Sequence, residues 1–251
     1  MSRHPATVIR LPSLVSIFLS IIIPAHNEEH RLPATLKTVD AFLAKQSYAS
    51  EVLVIENGSH DLTAVVTEAF AADHPRVRLI RETERGKGLA VRRGMLEANG
   101  QYRFICDADL SMPIQEVSKF LPPTLDGYGV AIGSREAPGA RRFNEPTYRH
   151  VMGRVFSTLV KVFAMPGFED TQCGFKCFQA EVAADVFGVQ KLTGMSFDVE
   201  VLYIARKRGY RIVEVPIVFP DRRVGQSKMS RRIVLEAMWM VPRLRIGGRY
   251  T

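Results

Sequence analysis

A chain of 251 residues, 46% apolar and 24% charged, has an ordinary globular composition and can build a substantial core, as one α/β domain or two closely fused halves. Its three cysteines, Cys106, Cys173 and Cys177, are odd in number and follow no usual zinc spacing, so a reducing, cytosolic setting is expected over a secreted one. The formal charge of +8 lies almost wholly at one end: from Arg222 to Thr251 there are eight basic residues against the single Glu236. Such a cluster favours phosphates, nucleic acid or acidic lipid. Nucleic acid is the poorest of these, because only Trp239 and Tyr250 interleave the basic residues with aromatics.

In chain order, the apolar stretch from Leu11 to Pro24 is too short for a membrane span, which needs roughly 20 residues. It also lacks a cleavage signature, and is read as a first buried strand over about 16–23. Leu32, Leu36, Val39 and Leu43 then recur at helical spacing. A second strand, Glu51 to Ile55, is followed by a helix from Leu62 to Ala72 with Asp61 as its cap, a third strand from Val77 to Ile80, and a helix from Leu89 to Ala98. The apolar run Tyr102 to Cys106 is a fourth strand, ending at Asp107-Ala108-Asp109. Alternation with short loops predicts a mostly parallel sheet.

Beyond it the sequence predicts a helix over 113–121, a strand over 130–133, a loop over 136–147 and a helix over 150–163. A short strand after Lys176, helices over 180–187 and 197–208, and a strand over 211–218 complete the set, with no internal repeat. The segment Ile233 to Val241, apolar and flanked by arginines, either packs on the core or lies on a membrane interface.

Polar clusters follow the first, second and fourth strands, at the sheet edge where ligands of open α/β sheets collect. Asp107 and Asp109 suit a hard divalent cation that also grips a diphosphate, since Mg²⁺ and Mn²⁺ sites use one or two carboxylates and complete their shell with phosphate and water. The competing reading has Asp109 capping the next turn. Asn27 and Glu28 either hold a nucleoside or cap a helix, and Glu56-Asn57-Gly58 joins a turn signal to an acceptor. Gly86-Lys87-Gly88 opens a helix, so its N–H groups can face an anion while Lys87 adds charge; it lacks the full phosphate-loop pattern, and a simple solvated loop is the competing reading. Arg135, Arg141 and Arg142 surround the 136–147 loop, a candidate lid. Asp198 and Glu200 begin an otherwise apolar helix, where a buried carboxylate needs a partner.

Taken together, Ile23-Pro24-Ala25-His26-Asn27-Glu28-Glu29, Arg85-Gly86-Lys87-Gly88, Asp107-Ala108-Asp109-Leu110-Ser111, Gly133-Ser134-Arg135, Asp170-Thr171-Gln172-Cys173-Gly174-Phe175-Lys176 and Phe197-Asp198-Val199-Glu200 stand in an order that resembles family 2 glycosyltransferases of the GT-A fold. The resemblance runs over about residues 15–250 and is nearest the dolichyl-phosphate β-glucosyltransferase and dolichol-phosphate mannose synthase branch. It implies an α/β GT-A domain over 15–220, with a nucleotide-binding half at 15–111, an acceptor half at 112–220 and a basic amphipathic tail at 221–251.

The implied activity is metal-assisted, inverting transfer of a hexose from UDP-glucose or GDP-mannose to a polyprenyl phosphate, at the cytoplasmic face of a membrane. Pro24, Ala25, Asn27, Glu28, Glu56, Asn57, Gly58, Lys87, Asp107, Ala108 and Asp109 would line the nucleotide-sugar pocket. Asp109, with Asp107, would bind Mg²⁺ or Mn²⁺, and Arg135, Gln172, Arg222 and Lys228 would position the acceptor phosphate. Lys87, Arg135 and, for a hydroxyl acceptor on a soluble or polysaccharide substrate, Asp198 as base would be catalytic. The sequence departs from the family at Glu56-Asn57-Gly58-Ser59, where Asp-Asp-Gly-Ser is usual, and in lacking the N-terminal membrane helix of the eukaryotic glucosyl enzymes.

Overall fold

The computed structural model describes residues 16–143 and 167–220. The helix expected over 150–163, the basic tail with Arg222 and Lys228, and the Ile233–Val241 segment lie outside the described residues.

Seven strands form one sheet in the order β3-β2-β1-β4-β7-β5-β8, where β1 is Leu19–Ala25, β2 Ser50–Asn57, β3 Val77–Glu82, β4 Tyr102–Ile105, β5 Val130–Ser134, β7 Lys176–Gln179 and β8 Ile212–Pro216. The neighbours of β1 and β2 pair in parallel, while β7 runs antiparallel between β4 and β5. The parallel expectation therefore holds except for β7. The strands are rich in β-branched residues and buried on both faces, as a sheet covered by helices requires. Ile22, Leu53 and Ile55 face helices α3 (Lys87–Glu97), α4 (Ala180–Val189) and α5 (Phe197–Lys207), while Ile21, Ile23, Val52 and Val54 face α1 (Leu32–Leu43) on the other side. Helix α2 (Thr63–Asp73) joins β2 to β3.

Three elements differ from the sequence expectation. Residues Ile114–Phe120 form a 3-10 helix rather than an α-helix. The run is only seven residues long, and Leu121, which precedes Pro122, is forced into an extended conformation that stops it. The strand expected over 211–218 divides at Pro216-Ile217 into β8 and β9 (Val218–Pro220). Pro216 has no N–H to extend the ladder, and Ile217 turns its backbone to two partners: its N–H donates to the Ser134 carbonyl at 3.2 Å and its carbonyl accepts from Arg141 N–H at 3.1 Å. The third difference follows from the second. Within the expected loop, Arg141–Phe143 form β6, paired in parallel with β9.

The parallel register brings the carboxyl ends of β1, β2 and β4 together: Ala25 lies opposite Glu56, and Ile22 opposite Ile105. The polar clusters noted in the sequence share that edge.

Candidate active site

The Asp107-Ala108-Asp109 turn is fixed by its own backbone and by α1. Leu110 N–H donates to the Asp107 carbonyl at 3.1 Å, and Ser111 N–H to Asp109 Oδ1 at 2.9 Å. The buried Thr35 hydroxyl donates to the Ala108 carbonyl at 2.6 Å. Leu110 adopts a φ of +43°, a left-handed conformation that a branched side chain tolerates poorly and that surrounding contacts must enforce. The capping reading of Asp109 holds. Oδ1 caps the turn, while Oδ2 has no hydrogen-bond partner among the described residues.

Lys87, the first residue of α3, donates to Asp107 Oδ1 at 2.7 Å. Burial opposes its charge, but Asp107, Asp198 and Asp109 around it raise its affinity for the proton above that of an ordinary lysine, so it is a fixed cation. Asp107 Oδ2 rests against Gly174, where an added Cβ would stand 2.0 Å away; only glycine leaves room for the carboxylate. The expectation that the Gly86 and Gly88 N–H groups face an anion is not met. Gly86 N–H donates to Asn57 Oδ1 at 2.7 Å and Gly88 N–H to the Thr193 carbonyl at 2.8 Å, so the loop is held internally and Lys87 supplies its charge.

The loops after β1 and β2 form one knot. Asn27, at φ +54°, donates from its N–H to Ser59 Oγ at 3.1 Å and accepts from His60 N–H at 2.9 Å. His26 Nδ1 donates to the Asn57 carbonyl at 2.8 Å, since a carbonyl only accepts. Asn57 also donates from Nδ2 to the Glu84 carbonyl. It is therefore a clamp joining the ends of β1 and β2 to the Lys87 loop, a role not visible in its Asn-Gly turn signal. Glu56 accepts from Ser59 N–H at 2.5 Å, across the turn that Gly58 makes at φ +61°. Pro24 and Ala25 sit at the end of β1. Glu28 is buried and held by Arg31 at 2.7 Å. Asp61 accepts from Thr63 N–H at 3.0 Å at the start of α2, as its capping role predicts.

On the acceptor side, Arg135 grips Asp170 with Nε at 2.6 Å and Nη2 at 2.9 Å, and its guanidinium stands 5.4 Å over the Phe219 ring. Gln172 follows Asp170 and donates its N–H to Asp170 Oδ1 at 3.3 Å. Burial works against the Asp170 charge, yet Arg135 holds the carboxyl below its ordinary value of 3.8. A lowered carboxyl adds stability above its unfolded value that is lost as pH falls through the folded one. Arg135→Met is therefore expected to cost about 2–3 kcal/mol at pH 7 and clearly less at pH 3, where Asp170 is protonated without its partner; urea unfolding at both pH values reads this.

Lys176 is fully buried and donates to Asp198 Oδ1 at 2.6 Å and to the Cys173 carbonyl at 2.5 Å. Burial raises the Asp198 carboxyl, while Lys176 and Lys87 oppose that rise. The residue proposed as a base for a hydroxyl acceptor is thus engaged in a buried ion pair. Lys176 itself was not assigned a role from sequence; a lysine between Phe175 and Cys177 in an apolar run was its signal.

The match to known families decides what this edge belongs to. Residues 20–187 match the model of "Glycosyl transferase family 2". The chain belongs to this family. This family 2 glycosyltransferase is 36% identical to the Drosophila melanogaster dolichyl-phosphate beta-glucosyltransferase, over 92% of its own length and 76% of that protein's. It is 31% identical to a Trichomonas vaginalis protein of the same description, over 91% and 72%. Among solved structures, the glucosyl-3-phosphoglycerate synthase of Mycobacterium tuberculosis, crystallised with Mn²⁺, UDP-glucose and phosphoglyceric acid, superposes with a TM-score of 0.66 at 15% identity, covering 92% of this glycosyltransferase and 80% of that chain. Mannosyl-3-phosphoglycerate synthase from Rubrobacter xylanophilus gives 0.66 at 19% identity, over 92% and 73%. The GT-A fold expectation holds.

The donor atoms of this glycosyltransferase fit a hard divalent ion of the kind seen in that mycobacterial structure. Among the described residues no group of three or more acidic, histidine or cysteine side chains converges; Asp107 and Asp109 are carboxylates of the kind such an ion takes, with Asp107 Oδ1 engaged by Lys87. The three thiols are buried and free, as the cysteine count implies; burial pushes those of Cys173 and Cys177 up to about 12.

Proposed function

We propose that this chain transfers glucose from UDP-glucose to a dolichyl or other polyprenyl phosphate, with inversion at the anomeric carbon. The observation that carries the reading is the juxtaposition of the Asp107-Ala108-Asp109 turn with the ammonium of Lys87, in a chain 36% identical to a dolichyl-phosphate beta-glucosyltransferase. Residues 15–111 form the donor half, with Pro24, Ala25, Asn27, Glu28, Glu56, Asn57 and Gly58 lining the nucleotide pocket. Residues 112–220 form the acceptor half, and the basic 221–251 tail meets the lipid surface.

An oxygen of the acceptor phosphate attacks the anomeric carbon, the bond from that carbon to the β-phosphate oxygen breaks, and UDP leaves with the electron pair. Negative charge grows on the leaving diphosphate, where Lys87 stabilises it. A divalent cation held by Asp109 and Asp107, Mg²⁺ or Mn²⁺, would supply further neutralisation of the diphosphate. The attacking phosphate is already an anion and needs no base, which agrees with the commitment of Asp198 to Lys176. Arg135 and Gln172, with Arg222 and Lys228, orient that phosphate; the guanidinium of Arg135 is itself fixed by Asp170.

Among the described residues no helix is long and apolar enough to cross a membrane. The reading places the enzyme as a peripheral protein on the cytoplasmic face. To test it, the protein is incubated with labelled UDP-glucose, Mn²⁺ or Mg²⁺ and dolichyl phosphate in detergent, and the organic phase is counted. Label in the organic phase, acid-labile and absent with GDP-mannose, is the expected result. Label released only as free glucose, or carried only by a soluble acceptor, would overturn the lipid-phosphate assignment.

A further inference from the structure

Glu200 is fully buried in the first turn of α5, and its two oxygens accept from consecutive backbone N–H groups, Oε1 from Lys191 at 3.0 Å and Oε2 from Leu192 at 2.7 Å. A carboxylate presents one acceptor to each of two neighbouring donors; no neutral side chain of that length does so. The backbone it fixes is the seat of the Lys87 loop. Gly88 N–H donates to the Thr193 carbonyl at 2.8 Å, and Gln190 Nε2 donates both to the Gly88 carbonyl at 2.9 Å and to the Leu192 carbonyl at 2.8 Å.

The fit is close enough to exclude any side chain. A Cβ at Gly86 would lie 2.4 Å from the Thr193 carbonyl oxygen, and one at Gly88 would lie 2.5 Å from that of Leu192 and 2.9 Å from the Phe197 Cβ. The two glycines that flank Lys87 are thus a backbone-to-backbone contact surface.

We infer that Glu200 is a positioning residue for Lys87, acting through the Gln190–Thr193 strap on which Gly86 and Gly88 are seated. The inference rests on the reading of Lys87 as the cation at the leaving diphosphate. Asn57 holds the opposite side of the same loop, so the lysine is clamped between the ends of the donor strands and the start of α5. With its backbone fixed on both sides, the ammonium is directed at one point of the sheet edge rather than sampling several. Loss of either clamp lets the first turn of α3 shift, and a shift of about 1 Å at a charge-stabilising group is enough to lower turnover about a hundredfold. Glu200 touches neither substrate nor the reacting atoms.

The test is Glu200→Gln, which keeps the volume but turns an amide N–H₂ toward one of the two backbone donors. Hydrogen exchange in the folded protein is read at the Gly88 amide, whose carbonyl partner belongs to the strap, and at Leu53 and Ile55 in the sheet. Glu200→Gln is expected to speed exchange at Gly88 at least tenfold and leave Leu53 and Ile55 unchanged. UDP-glucose turnover is then compared in a cycle with Lys87→Ala. Glu200→Gln is expected to lower kcat/KM at least tenfold when Lys87 is present and less than threefold when it is absent. Unchanged protection at Gly88, or two losses that simply multiply, would overturn the inference. If Glu200→Gln does not fold, Gln190→Leu, which removes the ties from the strap to the Gly88 and Leu192 carbonyls and so loosens the seat of the Gly88 N–H, enters the same exchange measurement and cycle with the same expected results. A wild-type chain that does not turn over UDP-glucose would defeat the proposed function, and the Gly88 exchange would still decide whether Glu200 seats the loop.

Discussion

Lys87→Ala is expected to lower kcat for glucosyl transfer by about 10²–10³, the range found when one preorganised donor to a developing anion is removed, or about 2.7–4 kcal/mol of barrier. The magnitude follows from where the ammonium sits. It is half-buried at the start of α3 and locked 2.7 Å from Asp107, so it is charged and aimed before substrate arrives. The diphosphate carries more charge as the glycosidic bond breaks than it does in the bound donor. The lysine should therefore affect kcat more than KM for UDP-glucose. Arginine should recover little, because a planar guanidinium does not replace a point charge whose backbone is fixed between two tightly seated glycines. Initial-rate kinetics over a range of UDP-glucose concentrations reads both parameters. A kcat within fivefold of wild type would remove Lys87 from the leaving-group site.

The second large effect is on stability. Lys176→Met should destabilise the fold by about 3–5 kcal/mol, because the buried Asp198 carboxyl then loses its main partner and is driven further up toward its protonated form. For a domain of this size that lowers the thermal midpoint by on the order of 10 °C. The double change Lys176→Met with Asp198→Leu removes both charges and should recover most of the loss. Recovery stops short of complete, since the Cys173 carbonyl loses its donor, a deficit of about 1–3 kcal/mol. The start of α5 adds a helix-terminal field that favours Asp198 as an anion, which offsets part of the loss in the single substitution. Chemical denaturation of the three proteins distinguishes the cases. A single variant within 1 kcal/mol of wild type, or a double variant no better than the single, would show that the pair is not the buried charge couple its geometry describes.

Much of the donor half was legible because its signals are local. Runs such as Val52-Leu53-Val54-Ile55 can only be strands buried on both faces, and in a parallel sheet their polar ends must share an edge. Asp107 and Asp109 were legible for the same reason. What stayed hidden depends on approach between distant segments. The short strand expected after Lys176 is β7, but its antiparallel direction and the Asp198 partner that admits a buried lysine in it depend on distant segments. Gly86 and Gly88 read as an anion-facing or a solvated loop, but their lack of side chains serves the carbonyls of residues 192 and 193, more than a hundred positions away. Gly174 carries no signal of its own in the sequence and is the floor under Asp107. Glu200 lies between these extremes. A carboxylate on an apolar helix face announced a buried partner, and only the fold shows that the partner is the seat of Lys87.

The measurement that tests the account most directly is a calorimetric titration of UDP-glucose into the protein, with and without Mn²⁺, in wild type and in Asp109→Ala. The account predicts binding that tightens at least tenfold with Mn²⁺ in wild type, a dependence lost in Asp109→Ala, and no comparable response to GDP-mannose. Equal affinity with and without the ion, or a Mn²⁺ effect that survives Asp109→Ala, would contradict the assignment of the Asp107-Ala108-Asp109 turn as the donor's metal-binding edge.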